Sequence, residues 1–132
     1  MFFTRECDYG FRIMRSLCDG EMRTVKSISE MENIPYQYTF KILKRLRDAG
    51  FLQTIRGRDG GYVLNTSLDD ITIYDVAAAL NENLFINNCL KKSSHCSAKK
   101  REVCGYHQEI KRQQFILEKE MRSKKLSELV HS

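Results

Sequence analysis

No stretch of the sequence approaches the ~20 consecutive apolar residues of a membrane-spanning helix, so a spanning segment is excluded. The opening, "MFFTRECDYGFRIMRS", interrupts its apolar residues with charges and lacks the continuous apolar run of a signal peptide. A cytoplasmic location is the expectation. The five cysteines are an odd number, and a reducing cytosol does not sustain structural disulfides. The close Cys-x-x-Cys pairs of zinc ribbons and fingers are missing, as is the compact cysteine run of ferredoxins. There is no phosphate-cradling loop, no paired carboxylates on a recognisable scaffold and no Ser-His-Asp pattern, which argues against an enzyme. Internal repeats are absent too.

What is present suits one globular domain with room for an extra helix. The chain has 132 residues, 42% hydrophobic and 30% charged, with seven Gly and one Pro. A chain of this length buries roughly two-thirds of its unfolded surface, enough for one core. Its net charge of +5 is unevenly placed. Residues 36–66 hold six Lys/Arg against two Asp, residues 67–90 four acids and no base, and residues 91–112 seven bases against two acids. Two basic blocks around an acidic one suggest a polyanion met by part of the surface.

Helical periodicity covers residues 4–18, with Tyr9, Phe11, Ile13, Met14 and Leu17 apolar and Gly20 as a stop. Cys7 and Cys18 fall inside this pattern and read as small buried hydrophobes. Thr24 suits an N-cap for a short helix facing Val25, Ile28 and Met31 inward, and Asn33 suits its left-handed end. Pro35 opens a second helix, residues 36–49, with Thr39, Ile42, Leu43 and Leu46 inward and Gly50 closing it. "FLQTIR" and "GYVLN", joined by "GRDG", read as a β-hairpin. Thr72 with Asp75 three residues on is a capping box for the helix "IYDVAAAL". A last long helix, residues 105–122, places Ile110, Leu117 and Met121 on one side with Phe115 nearby, a stripe suited to docking against another chain or to packing on its own domain. "KKLSELV" adds a short terminal turn, and His131 reads as a frayed end. The fold class is mainly α: a winged helix-turn-helix with a two-stranded β-hairpin wing and a long C-terminal helix.

A recognition helix needs side chains for base edges and cations for phosphates. Tyr36, Gln37 and Tyr38 sit at the end of the second helix that enters the major groove in this motif. Gln37 can pair with adenine, and Lys41, Lys44 and Arg45 suit phosphate. Arg56 and Arg58 at the wing tip suit a narrow minor groove, and Gly57 permits the tight turn between them. Phe40 reads as a packing residue. Double-stranded DNA is the partner this order of elements implies, with a protein-docking winged helix as the rival.

Cys89, Cys96 and Cys104 are separated by six and seven residues in a polar, basic segment, and His107 lies three after the last. Such a loop buries little apolar surface, and wide spacing suits a metal group around which the chain wraps. Three thiolates with a fourth, different ligand are reasonable for an iron–sulfur cluster. Lys92, Lys99, Lys100 and Arg101 would favour ionised thiols, so the same features also allow a reactive redox cysteine. Zinc, or no metal, also remains open. His95 reads as a loop residue.

"KILKRLRDAGFLQTIRGRDGGYVL", the following "ITIYDVAAAL" and the three spaced cysteines resemble the IscR, NsrR and CymR regulators of the Rrf-two family, from about residue 3 to 130. The resemblance implies a homodimer on a pseudo-palindromic operator, with units at 1–80 (winged helix-turn-helix, DNA-binding), 81–104 (cysteine-bearing sensor loop) and 105–132 (dimerisation helix). It implies a repressor that senses redox, nitric oxide or iron–sulfur status through a cluster on Cys89, Cys96 and Cys104. The fourth ligand it implies is either His107, as in IscR-like 2Fe–2S members, or Asp8 of the partner subunit, as in NsrR-like 4Fe–4S members. Cluster-free members of the family sense through a thiol or another signal. The cysteine gaps here are longer than usual in the cluster-bearing groups, and Phe40 stands where a polar residue is common.

Overall fold

Threonines mark where several helices begin. In the computed structural model, which describes residues 3–130, Thr4 Oγ1 accepts from the Cys7 N–H at the start of α1 (Arg5–Ser16). Thr24 does the same for Ser27 and opens α2 (Val25–Glu32). Each cap satisfies a donor that a helix start leaves bare. Asn33, at φ 53°, takes the left-handed position that ends α2. Pro35, with no N–H to lose, precedes α3 (Tyr36–Asp48), and Gly50 at φ 90° follows it. The expectation for His131 lies outside the described residues.

Strands β1 (Leu52–Ile55) and β2 (Gly61–Leu64) form an antiparallel hairpin with Leu52 opposite Leu64 and Ile55 opposite Gly61. The hairpin is fastened to the α1–α2 connection: Arg23 and Tyr62 exchange backbone hydrogen bonds of 2.9 and 2.8 Å. Gly61 makes this possible, because a Cβ there would lie 2.3 Å from the Arg23 carbonyl oxygen. A 3-10 turn (Leu68–Asp70) leads to α4 (Ile73–Leu80), whose Thr72–Asp75 capping box has both halves. Two further 3-10 turns (Asn88–Leu90 and Arg101–Val103) punctuate the cysteine loop before α5 (Gly105–Met121) and α6 (Leu126–Leu129). This is the predicted winged helix-turn-helix followed by a long helix. No helix among the described residues is long and apolar enough to cross a membrane.

The core lies where α1, α3 and α4 meet, around Ile13, Met14, Leu17, Ile42, Leu43, Leu46, Val76 and Leu80. Helices α1 and α4 approach closely at Gly10, where a Cβ would sit 2.2 Å from Leu80 Cδ1. Cys7 is fully buried in this core; Cys18 packs at its edge.

The apolar residues of α2 and α5 divide between core and surface. Met31 is 53% exposed: α2 turns left-handed at Asn33, and Ile34 beyond it fills the inward position instead. On α5, Met121 belongs to the chain's own core rather than to a surface stripe. The helix end is drawn inward because Tyr74 Oη donates to Glu118 (3.2 Å), Arg122 stacks 4.0 Å over the Tyr74 ring, and the Leu126 N–H donates to Ile71 O (2.8 Å). The apolar residues that α5 leaves exposed are Tyr106, Phe115, Ile116 and Leu117.

Candidate functional site

The inward side of α3 carries Thr39, Ile42, Leu43 and Leu46. With 3.6 residues per turn, Gln37, Lys41 and Lys44 then project outward, and all three are exposed. Tyr36 and Tyr38 at the helix start are exposed as well, Tyr38 meeting the Tyr9 ring edge-on at 5.9 Å. Phe40 corrects the sequence reading: it is 45% exposed, with Lys44 Nζ 5.6 Å above its ring. It lies at the border of the apolar stripe, so the ring covers the helix surface and supports a cation there.

Not every cation of α3 is free. Glu6 of α1 accepts from Arg45 Nη1 (2.8 Å) and Lys41 Nζ (3.3 Å), and Arg45 Nη2 donates to Ala79 O of α4 (3.4 Å). Arg45 therefore sits at the junction of α1, α3 and α4. At the wing tip Arg56, Gly57 and Arg58 are exposed, and Gly57 has φ 122°, a left-handed region that favours glycine. Neither arginine enters a salt bridge among the described residues.

The cysteine segment closes on a second feature. Cys89, Cys96, Cys104 and His107 line one cavity of about 200 Å³, together with Arg101 and Ile110. The Cys104–His107 spacing has a local cause: Cys104 is the N-cap of α5, and its Sγ accepts from the His107 N–H at 3.4 Å. The cap fixes the first turn, and His107 Nδ1 reaches to 3.2 Å from Cys89 Sγ. Backbone N–H groups of Lys100, then Ala98 and Lys99, with the Arg101 charge, hold the Cys96 thiol below its ordinary pKa. Asp8 lies elsewhere, on the exposed side of α1, paired with Arg12 at 2.9 Å. Among the described residues no three His, Cys, Asp or Glu side chains converge to metal-ligand distance. The donor set itself, three thiols and an imidazole around one cavity, fits the soft metal centres that thiolates hold.

Three residues here escaped the sequence reading. Glu6 is one, visible beforehand only as an acid in a first helical turn. Gln114 is another: 6% exposed, it donates to Leu84 O (2.8 Å) and accepts from the Ile86 N–H (2.9 Å), holding the start of the cysteine loop against α5. Its position one helical turn from Ile110, on the apolar side of α5, was the available signal. Arg101 is the third as a structural element. Its Nη2 donates to Ser94 O and to Ser94 Oγ (2.7 Å) across seven residues.

Comparison with known proteins agrees with this architecture. The Rrf2 family model, described as "Iron-dependent Transcriptional regulator", matches residues 3–132. The HTH-type transcriptional regulator NsrR of Bacillus subtilis (strain 168) is 33% identical over 92 residues, covering 67% of this chain and 63% of NsrR. The chain thus spans about 63% of the length of that curated relative. Among solved structures, CymR (YrzC), the global cysteine regulator of B. subtilis, superposes with a TM-score of 0.74 at 25% identity, over 98% of this chain and 96% of CymR. The IscR of T. potens superposes with a TM-score of 0.68 at 22% identity, over 98% of this chain and 86% of that one, a likeness of fold.

Proposed function

Because the chain belongs to the Rrf2 family of transcription regulators, which are not enzymes, we propose that it acts as a homodimeric repressor on a pseudo-palindromic operator in double-stranded DNA, governed by an iron–sulfur cluster on Cys89, Cys96 and Cys104. The observation that carries this reading is the single cavity of about 200 Å³ on which all three thiols and His107 meet. When bound, a cluster supplies a centre whose integrity follows redox state, nitric oxide or iron–sulfur supply. The remaining functions belong to the chain's own residues.

Gln37, with Tyr36 and Tyr38, faces base edges at the start of α3, and Lys41 and Lys44 face phosphates. Arg56 and Arg58, spaced by Gly57, enter the minor groove. Arg45 serves from behind, orienting α3 through Glu6. In the first turn of α5, His107 is the fourth ligand available within the protomer; Asp8 of the partner subunit is the alternative, which would make the site 4Fe–4S rather than 2Fe–2S. The three units, 1–80, 81–104 and 105–132, are then reading head, sensor loop and dimerisation helix.

Where Asp8 of the partner subunit completes the site, helix α1 is the element suited to couple them. Glu6 ties it to α3, while Arg12 donates to Glu32 O (3.1 Å) and Arg15 pairs with the Glu32 carboxylate at the end of α2. A displacement of α1 therefore moves both helices of the reading head. Two heads must meet half-sites near multiples of ~34 Å, so a small rotation is enough to lose one of them. The coupling is reciprocal: the state of the loop that favours DNA is favoured by DNA.

A second reading is supported by the Cys96 thiol, which backbone amides hold below its ordinary pKa: a cluster-free regulator switched by thiol oxidation. Iron and sulfide counts on anaerobically purified protein decide. The cluster reading requires both elements, with visible absorption lost in the C89A/C96A/C104A variant. Colourless, iron-free protein from iron-replete cells leaves the thiol reading.

A further inference from the structure

We propose that Arg101 is the resident cation of the three-thiol site: it closes the cysteine loop on Ser94 and presents its buried Nε–H to the anionic group that the thiols hold. This rests on the cluster reading above.

The geometry is specific to this residue. Ser94 lies in the interval before Cys96 and Arg101 in the interval after it, so one guanidinium fastens both flanks of the middle thiol. It does so through Nη2 alone, which donates to both the carbonyl and the hydroxyl of Ser94. The Nε of Arg101 is buried and has no hydrogen-bond partner. Buried charged donors are costly to leave unmet, and this side chain lines the cavity that Cys89, Cys96 and Cys104 share. No carboxylate pairs with it: among the described residues Arg101 enters no salt bridge, although Glu102 and Glu118 line cavities with it.

A cluster held on this cavity by three thiolates would bring negative charge to it. Arg101 meets it from inside. An ammonium at this position would keep the charge but not the planar fork that grips Ser94 while leaving Nε available.

The test compares the wild type with R101K, R101Q and S94A, all purified and reconstituted anaerobically. Iron and sulfide content, the rate of cluster loss to a chelator, the midpoint potential, and the melting temperature of the metal-free protein are measured. R101Q is expected to lose its cluster about ten- to a hundredfold faster, the size of a lost charged hydrogen bond. Its midpoint potential moves in the negative direction, because removing a cation disfavours an added electron. R101K keeps the wild-type potential with an intermediate release rate. S94A releases faster at unchanged potential, since it loosens the loop and keeps the charge. Metal-free melting temperatures match throughout.

An R101Q protein with wild-type release and potential overturns the proposal. So does one that matches S94A, with faster release and no change in potential, since Arg101 would then be a loop tie only. Should R101Q take up no cluster, R101K decides: its loading supports the charge role and its failure overturns it. A wild type without iron and sulfide removes the cluster reading, and the Arg101 role with it. A loaded wild type beside an indifferent R101Q removes only the Arg101 role.

Discussion

His107 Nδ1 lies 3.2 Å from Cys89 Sγ across eighteen residues of chain. The contact follows from a cap. Cys104 receives the His107 N–H, the first turn of α5 is fixed, and the imidazole swings over the start of the loop. The helix start thus builds one side of the thiol cavity. Gln114, about two turns further along α5, pins the chain segment that delivers Cys89.

The fourth ligand can be assigned by substitution. Asp8→Ala removes only an exposed i,i+4 ion pair within the protomer, worth ~0.3–0.5 kcal/mol, so its effect on folding is slight. Of Asp8→Ala and His107→Ala, one is expected to shed iron on gel filtration under anaerobic conditions while the other retains it. Retention by both would mean that neither residue completes the site.

Glu6→Gln releases Lys41 and Arg45 from their shared carboxylate. Log affinity for duplex DNA is then expected to fall more steeply with log salt, by about 0.9 for each phosphate newly met by a freed cation. The affinity difference between cluster-loaded and cluster-free protein should shrink as well, because α1 loses its hold on α3. An unchanged slope and an unchanged difference would remove Glu6 from the coupling.

Arg56→Ala and Arg58→Ala act in the opposite sense. Each is expected to weaken operator binding, and the salt slope to become shallower by about 0.9 for each phosphate that the wing no longer neutralises. Both residues are exposed, so the melting temperature should not change. Wild-type DNA affinity in the double variant, with a flat salt response, would favour the protein-docking role of the wing.

Gln114→Leu keeps the volume and removes the clamp, leaving the Leu84 carbonyl and the Ile86 N–H without their partner. The expected loss is about 1–3 kcal/mol of folding stability, read as a lower urea midpoint at constant m-value. Faster cluster loss should accompany it. A stability equal to wild type would show that water replaces the amide at no cost.

Much of the fold was legible because its signals are local. Thr24 and Asn33 bracket α2, Pro35 opens α3, and the Thr72–Asp75 box starts α4, each through hydrogen bonds within a few residues. The wing was legible from two short apolar runs around glycines. Long-range placement was not. Arg45 reads as an outward cation on α3 until α1 brings Glu6 beside it, and Met121 could face another chain or its own domain until Tyr74 and Arg122 draw the end of α5 inward. Met31 was misplaced because the inward series passes to Ile34 where the helix has already ended. The three cysteines pointed to one site by their chemistry. That they share a cavity with His107 and Arg101 depends on how the loop folds back, which spacing alone does not encode.

Control of DNA binding by the cluster is read by measuring duplex affinity on one anaerobic preparation before and after its cluster is removed, with iron and sulfide counted at both points and the DNA selected from random duplexes. Iron and sulfide are expected at the start and lost on removal, with an affinity change of about 5- to 150-fold, the usual range of coupling between two sites. Equal affinity at both points would contradict that control.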